Sequence, residues 1–191
     1  MTEASVQAEP VDPNVEMPAG IDRSHPTYLS YIESTRAYYL ANGFNNPYEW
    51  AHFQQVPFTP VTKPLARSRI GLITTAAEFD PDKGDQDAGA AYNTGAKFHA
   101  VYSRPSDSVP DLRVSHIAYD RKNARVDDIN AYFPLQRLHE AAAAGRIDSI
   151  AERFHAVPTM RSQRKTIERD APEILERLRE EEVDAAILVA V

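Results

Sequence analysis

Cysteine does not occur in this 191-residue sequence. The chain itself therefore cannot form a disulfide, a zinc–thiolate site or an iron–sulfur cluster, and it holds no cysteine nucleophile. Any redox chemistry must come from a cofactor, from a partner, or from a residue that this sequence does not contain.

Two further shortages exclude classes of partner. Acidic residues outnumber basic ones by 28 to 21, so the net charge is −7, and binding to nucleic acid or to an anionic membrane needs a positive footprint. No run approaches the ~18 apolar residues that span a bilayer, and the N-terminus lacks the basic and apolar regions of a secretory signal. We expect a cytoplasmic protein that binds neither nucleic acid nor membrane.

Composition divides the chain into an acidic tail and a single domain. Residues 1–22 combine acidic side chains and prolines with little hydrophobicity, which predicts disorder. Residues 23–191 are enough for one domain with its own core. Within that domain we predict a helix over 27–42 and, over 43–66, an extended segment rich in aromatic residues and proline that packs on the domain.

Hydrophobic patterning predicts an α/β fold. Continuous apolar runs at 69–76 and 183–191 are typical of strands that are covered on both faces of a parallel sheet. Further strands are predicted near 98–102, 112–117 and 154–157, and further helices over 134–145 and 163–182. The expected architecture is a doubly wound, mostly parallel sheet with helices on both faces, a Rossmann-like arrangement of three layers.

The run 183–191 has the pattern of a central strand, which normally leads into a loop and a covering helix. Neither follows in this sequence, so we expect the C-terminal part of the fold to be missing and one face of the strand to lack its cover. Three explanations stay open. Another chain completes the domain, the reading frame stops before the natural end, or the strand is simply terminal.

The densest polar constellation lies between the end of a strand and the start of a helix, where groups converge on ligands and backbone N–H groups attract anions. The candidate substrate-binding residues are Ser115, His116, Tyr119, Asp120, Asp127, Asp128 and Asn130. A histidine among carboxylates can serve as an acid or base near neutral pH. As alternatives, Asp127 or Asp128 only caps the helix, and His116 is only structural.

A metal hydrolase that uses His116, Asp120 and Asp127 is a weaker alternative. No two histidines fall at helical ligand spacing, and none of the zinc signatures occurs, so we expect no metal site. We assign no role to the other histidines, and we expect His155 at the surface near a strand end. The loop 78–97 is either a lid or a plain solvated loop.

Several segments, taken in their order and spacing, match one known family. They are Ser68–Ala76, Asp111–His116 with Tyr119 and Asp120, Asp128–Leu138, Gly145–Ile147, and Ala171–Ile174 together with Val183–Val191. Over roughly residues 27–191 the sequence resembles the glycine/sarcosine/betaine reductase selenoprotein B family, which includes the D-proline reductase selenoprotein subunit.

The resemblance implies a catalytic residue that the chain does not contain. In the family, the strand similar to 183–191 leads into a selenocysteine or cysteine, two further residues and a second cysteine. The resemblance therefore implies a selenocysteine or cysteine just after Val191, where a selenocysteine codon would be read as a stop.

The implied activity is that of an oxidoreductase, which reductively cleaves the C–N bond of an amino acid or a betaine-type amine with a dithiol/disulfide couple. A complementary subunit would carry a pyruvoyl group that holds the substrate amine. The chain as written would be inactive alone. The alternative is a non-catalytic binding or partner subunit of such a complex.

Overall fold

A computed structural model describes residues 21–22, 30–43, 52–56, 59–80, 82, 98–115, 126–158 and 162–190. The strands are β1 (Ile21–Asp22), β2 (His52–Phe53), β3 (Arg69–Thr74), β4 (Ala77–Glu78), β5 (Tyr102–Pro105), β6 (Leu112–Arg113), β7 (Ser149–Ile150), β8 (Arg153–Ala156) and β9 (Ala185–Val189). The α-helices are α1 (Ser30–Ala41), α2 (Leu135–Ala143), α3 (Gln163–Lys165) and α4 (Ala171–Glu180), with a π-helical segment (Thr166–Asp170) between the last two.

The centre of the fold is a sheet built around β3. Strand β9 pairs with β3 in parallel, from Ile70 opposite Ala185 to Thr74 opposite Val189. Strands β7 and β8 pair in parallel with the two ends of β3 on its other side, and β5 joins β8 antiparallel. The order across the sheet is therefore β5, then β8 with β7, then β3, then β9.

The predicted α/β class is confirmed, but the mostly parallel, doubly wound Rossmann-like arrangement is not. The sheet is mixed because β5 enters it at the carboxyl end of β8, where Tyr102 pairs with Ala156. Strand pairs β1–β2 and β4–β6 are also antiparallel. Hydrophobic patterning does not report strand direction for short strands, so the sequence alone could not distinguish these cases.

Two hydrophobic clusters place one helix on each face of this sheet. Leu72 of β3 packs in the cluster that contains Leu135 of α2, whereas its neighbour Ile73 packs against the cluster of Ile174 and Leu178 of α4. Successive side chains of a strand point to opposite faces. Helices α2 and α4 therefore cover opposite faces of β3 and β8.

Two glycines fit positions that a larger residue would disturb. A Cβ atom at Gly71 would lie 2.6 Å from Cδ2 of Leu178 and 3.2 Å from Cγ1 of Val183, so glycine lets α4 approach β3 closely. Gly145 has a φ of +68° and follows α2, where the left-handed conformation ends a helix at least cost. This confirms the helix end that the sequence predicts at Gly145.

Two predicted elements differ from the observed ones. The strand expected near 98–102 begins instead at Tyr102 and runs to Pro105, in the register that β8 imposes. The helix expected over 163–182 is present, but its middle is π-helical up to Asp170, just before Pro172. Proline has no N–H group for the regular hydrogen bond, so an irregular turn beside it is the expected accommodation.

Strand β9 is less buried than its apolar sequence predicts: one face was expected to lack its cover, and both faces are partly exposed. Among the described strands only β3 pairs with it, and Ile187 and Leu188 are 40% and 62% exposed. Ile187 lies opposite Leu72 and Leu188 lies opposite Ile73, so the two exposed side chains are on opposite faces. Helices α2 and α4 stand over β3 and β8 and leave both faces of β9 partly bare.

Some predictions fall on residues that the structure does not describe. They include residues 1–20 of the acidic tail, the greater part of the loop 78–97, and residues 44–51 and 57–58 of the predicted extended segment 43–66. The last two residues of the predicted disordered tail, Ile21 and Asp22, instead form β1. Helix α1 lies within the helix predicted over 27–42. Within the described ranges, no helix has the length and apolar character needed to cross a membrane.

Candidate functional site

The candidate site lies at the carboxyl edge of the parallel strands. Thr74, at the end of β3, pairs with Ala156 at the end of β8 and with Val189 at the end of β9. Ligands of open α/β sheets bind outside this edge. Strand β4 follows β3 beyond the edge and carries β6 as its antiparallel partner.

Thr74 holds the polar turn before α2, residues 127–132, against this edge. Its side chain is fully buried, and its Oγ1 donates a hydrogen bond to the carbonyl oxygen of Tyr132 at 2.9 Å. The same oxygen accepts a hydrogen bond from the backbone N–H of Ala76 at 3.1 Å. One hydroxyl group therefore fixes both the direction of the chain after β3 and the position of the turn relative to the end of β3.

Replacement of Thr74 by valine is expected to destabilise the fold. Valine keeps the shape but leaves the buried carbonyl of Tyr132 and the N–H of Ala76 without their partner, and such unpaired groups cost about 1–3 kcal/mol each. The free energy of unfolding, measured by urea denaturation, should fall by about 2 kcal/mol. Thr62→Val, at an exposed position, is the control, and equal stability of the two variants would contradict the assignment.

The side chain of Asp128 shapes the turn through its hydrogen bonds. Its Oδ1 accepts hydrogen bonds from the backbone N–H and from Nδ2 of Asn130, both at 3.0 Å, and it caps the 3-10 turn Ile129–Ala131. Asp128 therefore caps this short turn and not α2, whose N-cap residue Pro134 makes no side-chain capping hydrogen bond. Asp127 is exposed on the same turn. Oδ1 of Asn130 is buried and has no hydrogen-bond partner among the described residues.

Ser115 is a buried polar group two residues beyond the end of β6. It is 2% exposed, and its Oγ has no hydrogen-bond partner within the described part of the chain. Buried hydroxyl groups are normally paired, so this one needs an explanation. The unused hydroxyl favours the substrate-binding role that the sequence predicts for Ser115.

Sequence reasoning missed Arg113, which lies two residues before Ser115 and is 5% exposed. Its guanidinium bonds the carboxylate of Asp111 and stands over the ring of Phe79, 4.8 Å from the centroid. The alternation of apolar and polar residues from Leu112 to Ser115 could have indicated this arginine. In such a pattern Arg113 and Ser115 fall on the same side of the chain, so the arginine lies beside the candidate serine.

Tyr132 connects β6 to the turn. Its side chain is buried, and its hydroxyl donates to the carbonyl oxygen of Leu112 at 3.3 Å. Burial raises the pKa of Tyr132; Arg113 opposes this shift and Asp128 adds to it. The hydrogen bond of Tyr132 to Leu112 joins the turn to β6. The charges of Arg113 on β6 and of Asp128 on the turn both act on this tyrosine.

Three predicted site residues, His116, Tyr119 and Asp120, lie outside the described residues. The structure brings Ser115, Asp127, Asp128 and Asn130 to the elements around the carboxyl edge and leaves the other three as predictions. Within the ranges that are described, no cluster of three or more His, Asp or Glu side chains could hold a metal ion.

The expectation for His155 is wrong, because its side chain is fully buried. It lies on β8 next to Phe154, so it points to the face that α4 covers. Its Nδ1 is 2.7 Å from Oγ of Ser103, and that oxygen accepts a hydrogen bond from Nη1 of Arg177 at 2.6 Å. Burial lowers the pKa of His155 to about 4; Glu181 opposes the shift, and Arg177 and Arg153 add to it.

Fold and site together define an α/β protein with a polar site at the carboxyl edge of its sheet. The family model of glycine/sarcosine/betaine reductase selenoprotein B matches residues 40–191. The chain therefore belongs to this selenoprotein B family.

A curated relative agrees with the family assignment. The chain is 33% identical over 135 residues to the D-proline reductase subunit gamma of Acetoanaerobium sticklandii. The match covers 70% of this chain and 52% of the relative, so the chain spans about half the length of that protein. No solved structure is significantly similar to the chain.

Proposed function

We propose that this chain is the substrate-binding scaffold of a selenoprotein B-type reductase component. The reaction is reductive cleavage of a C–N bond in an amino acid or a betaine-type amine, with a dithiol/disulfide couple as reductant. The observation that carries the proposal is the position of Thr74, which pairs with Val189 of β9 and holds the carbonyl of Tyr132. The end of β9 and the polar turn therefore meet at one edge.

The nucleophile of this proposal is a selenocysteine or cysteine just after Val191. A backbone advances at most about 3.3 Å per residue, so a residue directly after Val191 lies within about 10 Å of Val189, which ends β9 at the edge that also holds the turn. A selenolate supplies a nucleophile that is more ionised at neutral pH than an ordinary thiol of pKa about 8.5.

The residues of this chain bind and orient the substrate. Ser115 and Asn130 offer the buried, unused Oγ and Oδ1 atoms, and Asp127 and Asp128 belong to the same turn. His116, Tyr119 and Asp120 keep their proposed place in the site through the resemblance. The pyruvoyl group that holds the substrate amine belongs, in this proposal, to a complementary subunit.

The first test is the intact mass of the protein from its native cells, grown with selenium. We expect a mass above the 21.4 kDa of the 191 residues and about one selenium atom per chain by elemental analysis. An intact mass that matches a chain ending at Val191 would contradict the proposed selenocysteine. A larger mass without selenium would favour cysteine.

The second test is turnover. Residues 1–191 alone, given dithiothreitol and glycine, sarcosine, betaine or D-proline, should release no amine product. The longer product, together with its complementary subunit, should cleave at least one of these substrates. Turnover by residues 1–191 without any other protein would refute the argument that the nucleophile lies outside them.

A non-catalytic partner subunit is the second candidate, and the exposure of Ile187 and Leu188 on β9 favours it. A strand with partly bare apolar faces, and with one edge that no described strand pairs, is suited to pair with another chain. In that case residues 1–191 should be soluble and should co-elute with a partner in size-exclusion chromatography. A fragment of a larger enzyme should aggregate instead.

We also propose, from the sequence, that residues 23–191 form one domain, that a doubly wound sheet is completed beyond β9, and that the protein is cytoplasmic. The helices on both faces of β3 and β8 support the second of these proposals.

A further inference from the structure

Arg113 is a buried cation with one unused donor. Its Nη1 donates to the carbonyl oxygen of Leu112 at 2.9 Å, and Nη1 and Nη2 both bond the carboxylate of Asp111. Its Nε is buried and has no hydrogen-bond partner among the described residues. Asp111 thus bonds the Nη1 and Nη2 end of the guanidinium, and the edge that carries Nε stays available for a further hydrogen bond.

Ser115 adds a second unused group on the same side of the chain. Leu112 and Val114 point into the hydrophobic core, and side chains alternate along an extended segment, so Arg113 and Ser115 share the other side. Both are almost completely buried, at 5% and 2% exposure. An N–H donor at the end of β6 and a hydroxyl donor two residues beyond it therefore lie on one side of the chain, both without partners among the described residues.

A carboxylate is the ligand chemistry that completes this pair. The guanidinium of arginine binds carboxylates through parallel N–H groups, and a serine hydroxyl can donate to the same group. A buried donor without a partner costs stability, and that cost is recovered when a ligand supplies the acceptor. A neutral apolar ligand would leave both donors unpaired.

The guanidinium is held in place before any ligand arrives. Asp111 fixes its outer end, and the ring of Phe79 supports its plane at 4.8 Å. The backbone of Arg113 pairs with Ala77 in β4, directly beyond the end of β3. Such support is what a binding group needs to act without losing freedom on binding.

We propose that Arg113 and Ser115 bind the carboxylate of a small substrate, with Nε of Arg113 supplying the charge and Oγ of Ser115 the second donor. The assignment of this substrate as an amino acid or betaine rests on the proposed function, whereas the carboxylate chemistry rests on the two side chains. Both atoms are shielded from solvent, so a carboxylate reaches them only after local opening.

The binding test uses the longer product with D-proline as the probe and D-prolinamide, which has no carboxylate, as its matched control. We expect D-proline to bind and D-prolinamide to bind at least tenfold more weakly. Arg113→Gln should weaken D-proline binding about tenfold or more, because a hydrogen bond to a charged group is lost. Arg137→Gln, at an exposed residue that pairs with Glu140 on α2, should leave the affinity unchanged.

Ser115→Ala separates a binding role from a structural one. Removing a buried hydroxyl that has no partner should leave the unliganded fold as stable or make it more stable, yet it should weaken D-proline binding about threefold to tenfold. The Nε–H resonance of Arg113, assigned with Arg113→Lys, should shift with D-proline and not with D-prolinamide.

Two results would overturn the inference. One is an unmoved Arg113 resonance at saturating D-proline, and the other is equal affinity of wild type, Arg113→Gln and Ser115→Ala. These readouts need no turnover, so they are independent of the proposed reductase. If the longer product binds the carboxylate but does not turn the substrate over, the site is supported and the proposed reaction is contradicted. If it turns the substrate over and both variants keep the wild-type affinity, the reaction is supported and the carboxylate site is contradicted.

Discussion

Phe154→Ala is expected to lower the free energy of unfolding by about 3–5 kcal/mol, the usual cost of truncating a buried phenylalanine. Phe154 is fully buried in β8. Its ring packs edge to face on Phe133, with 4.6 Å between centroids, and lies 6.2 Å from the ring of Tyr102. The truncation removes a ring that joins β5, β8 and the segment before α2, and it leaves a cavity that these elements cannot close.

Urea denaturation of wild type and variant measures this effect. Since domains of this size are stable by only about 5–15 kcal/mol, the variant should be close to unfolding at room temperature. Phe53→Ala is the matched control, because Phe53 is 53% exposed and surface substitutions usually change stability by about 0.5 kcal/mol or less. A loss below about 1 kcal/mol for Phe154→Ala would show that β8 does not pack on Phe133.

Acidification from pH 6.5 to pH 4 is expected to destabilise the protein through His155. Burial depresses the pKa of His155 to about 4, against an ordinary value of 6.5. The folded state therefore holds this side chain neutral while the unfolded chain takes up a proton. The stability that the neutral histidine provides is complete above pH 6.5 and is lost as the pH falls towards 4, by about 3 kcal/mol in total.

The comparison that isolates this histidine is the pH dependence of unfolding in wild type and His155→Gln. Other groups titrate in the same range and affect both proteins, so the expected signature is a steeper loss for wild type between pH 6.5 and 4. Thr62→Val, which changes no titratable group at an exposed position, should retain the wild-type steepness. Parallel profiles for wild type and His155→Gln would refute a neutral buried imidazole.

Hydrophobic patterning predicted the elements but not their arrangement. The run 69–76 predicted β3, and Gly145 predicted the end of α2, because both signals are local. Strand β5 began four residues later than expected, since its pairing with β8 fixes its register. The apolar run 183–191 predicted a buried strand, whereas Ile187 and Leu188 are exposed, because burial depends on which elements stand above the strand.

The candidate site shows the same division. The polar residues from Ser115 to Asn130 predicted a ligand site, which stays a prediction, and the sequence placed the capping role of Asp128 on α2, whereas Asp128 caps the short turn before it. The buried guanidinium of Arg113 was not predicted, because its burial and its contact with Phe79 arise only when β4 pairs with β6. His155 was misplaced for a related reason, since α4 covers it from a distant part of the chain.

The amino-acid sequence alone determined the lack of cysteine in these 191 residues, the acidic charge, the α/β class and the resemblance to the selenoprotein B family, because these follow from composition and from local order. Tertiary structure alone decided which polar groups lose water and which keep a partner. β6 packs against β4 and Tyr132, and Nε of Arg113 and Oγ of Ser115 are left without hydrogen-bond partners among the described residues. Local sequence patterns do not encode which side chains from distant parts of the chain come into contact.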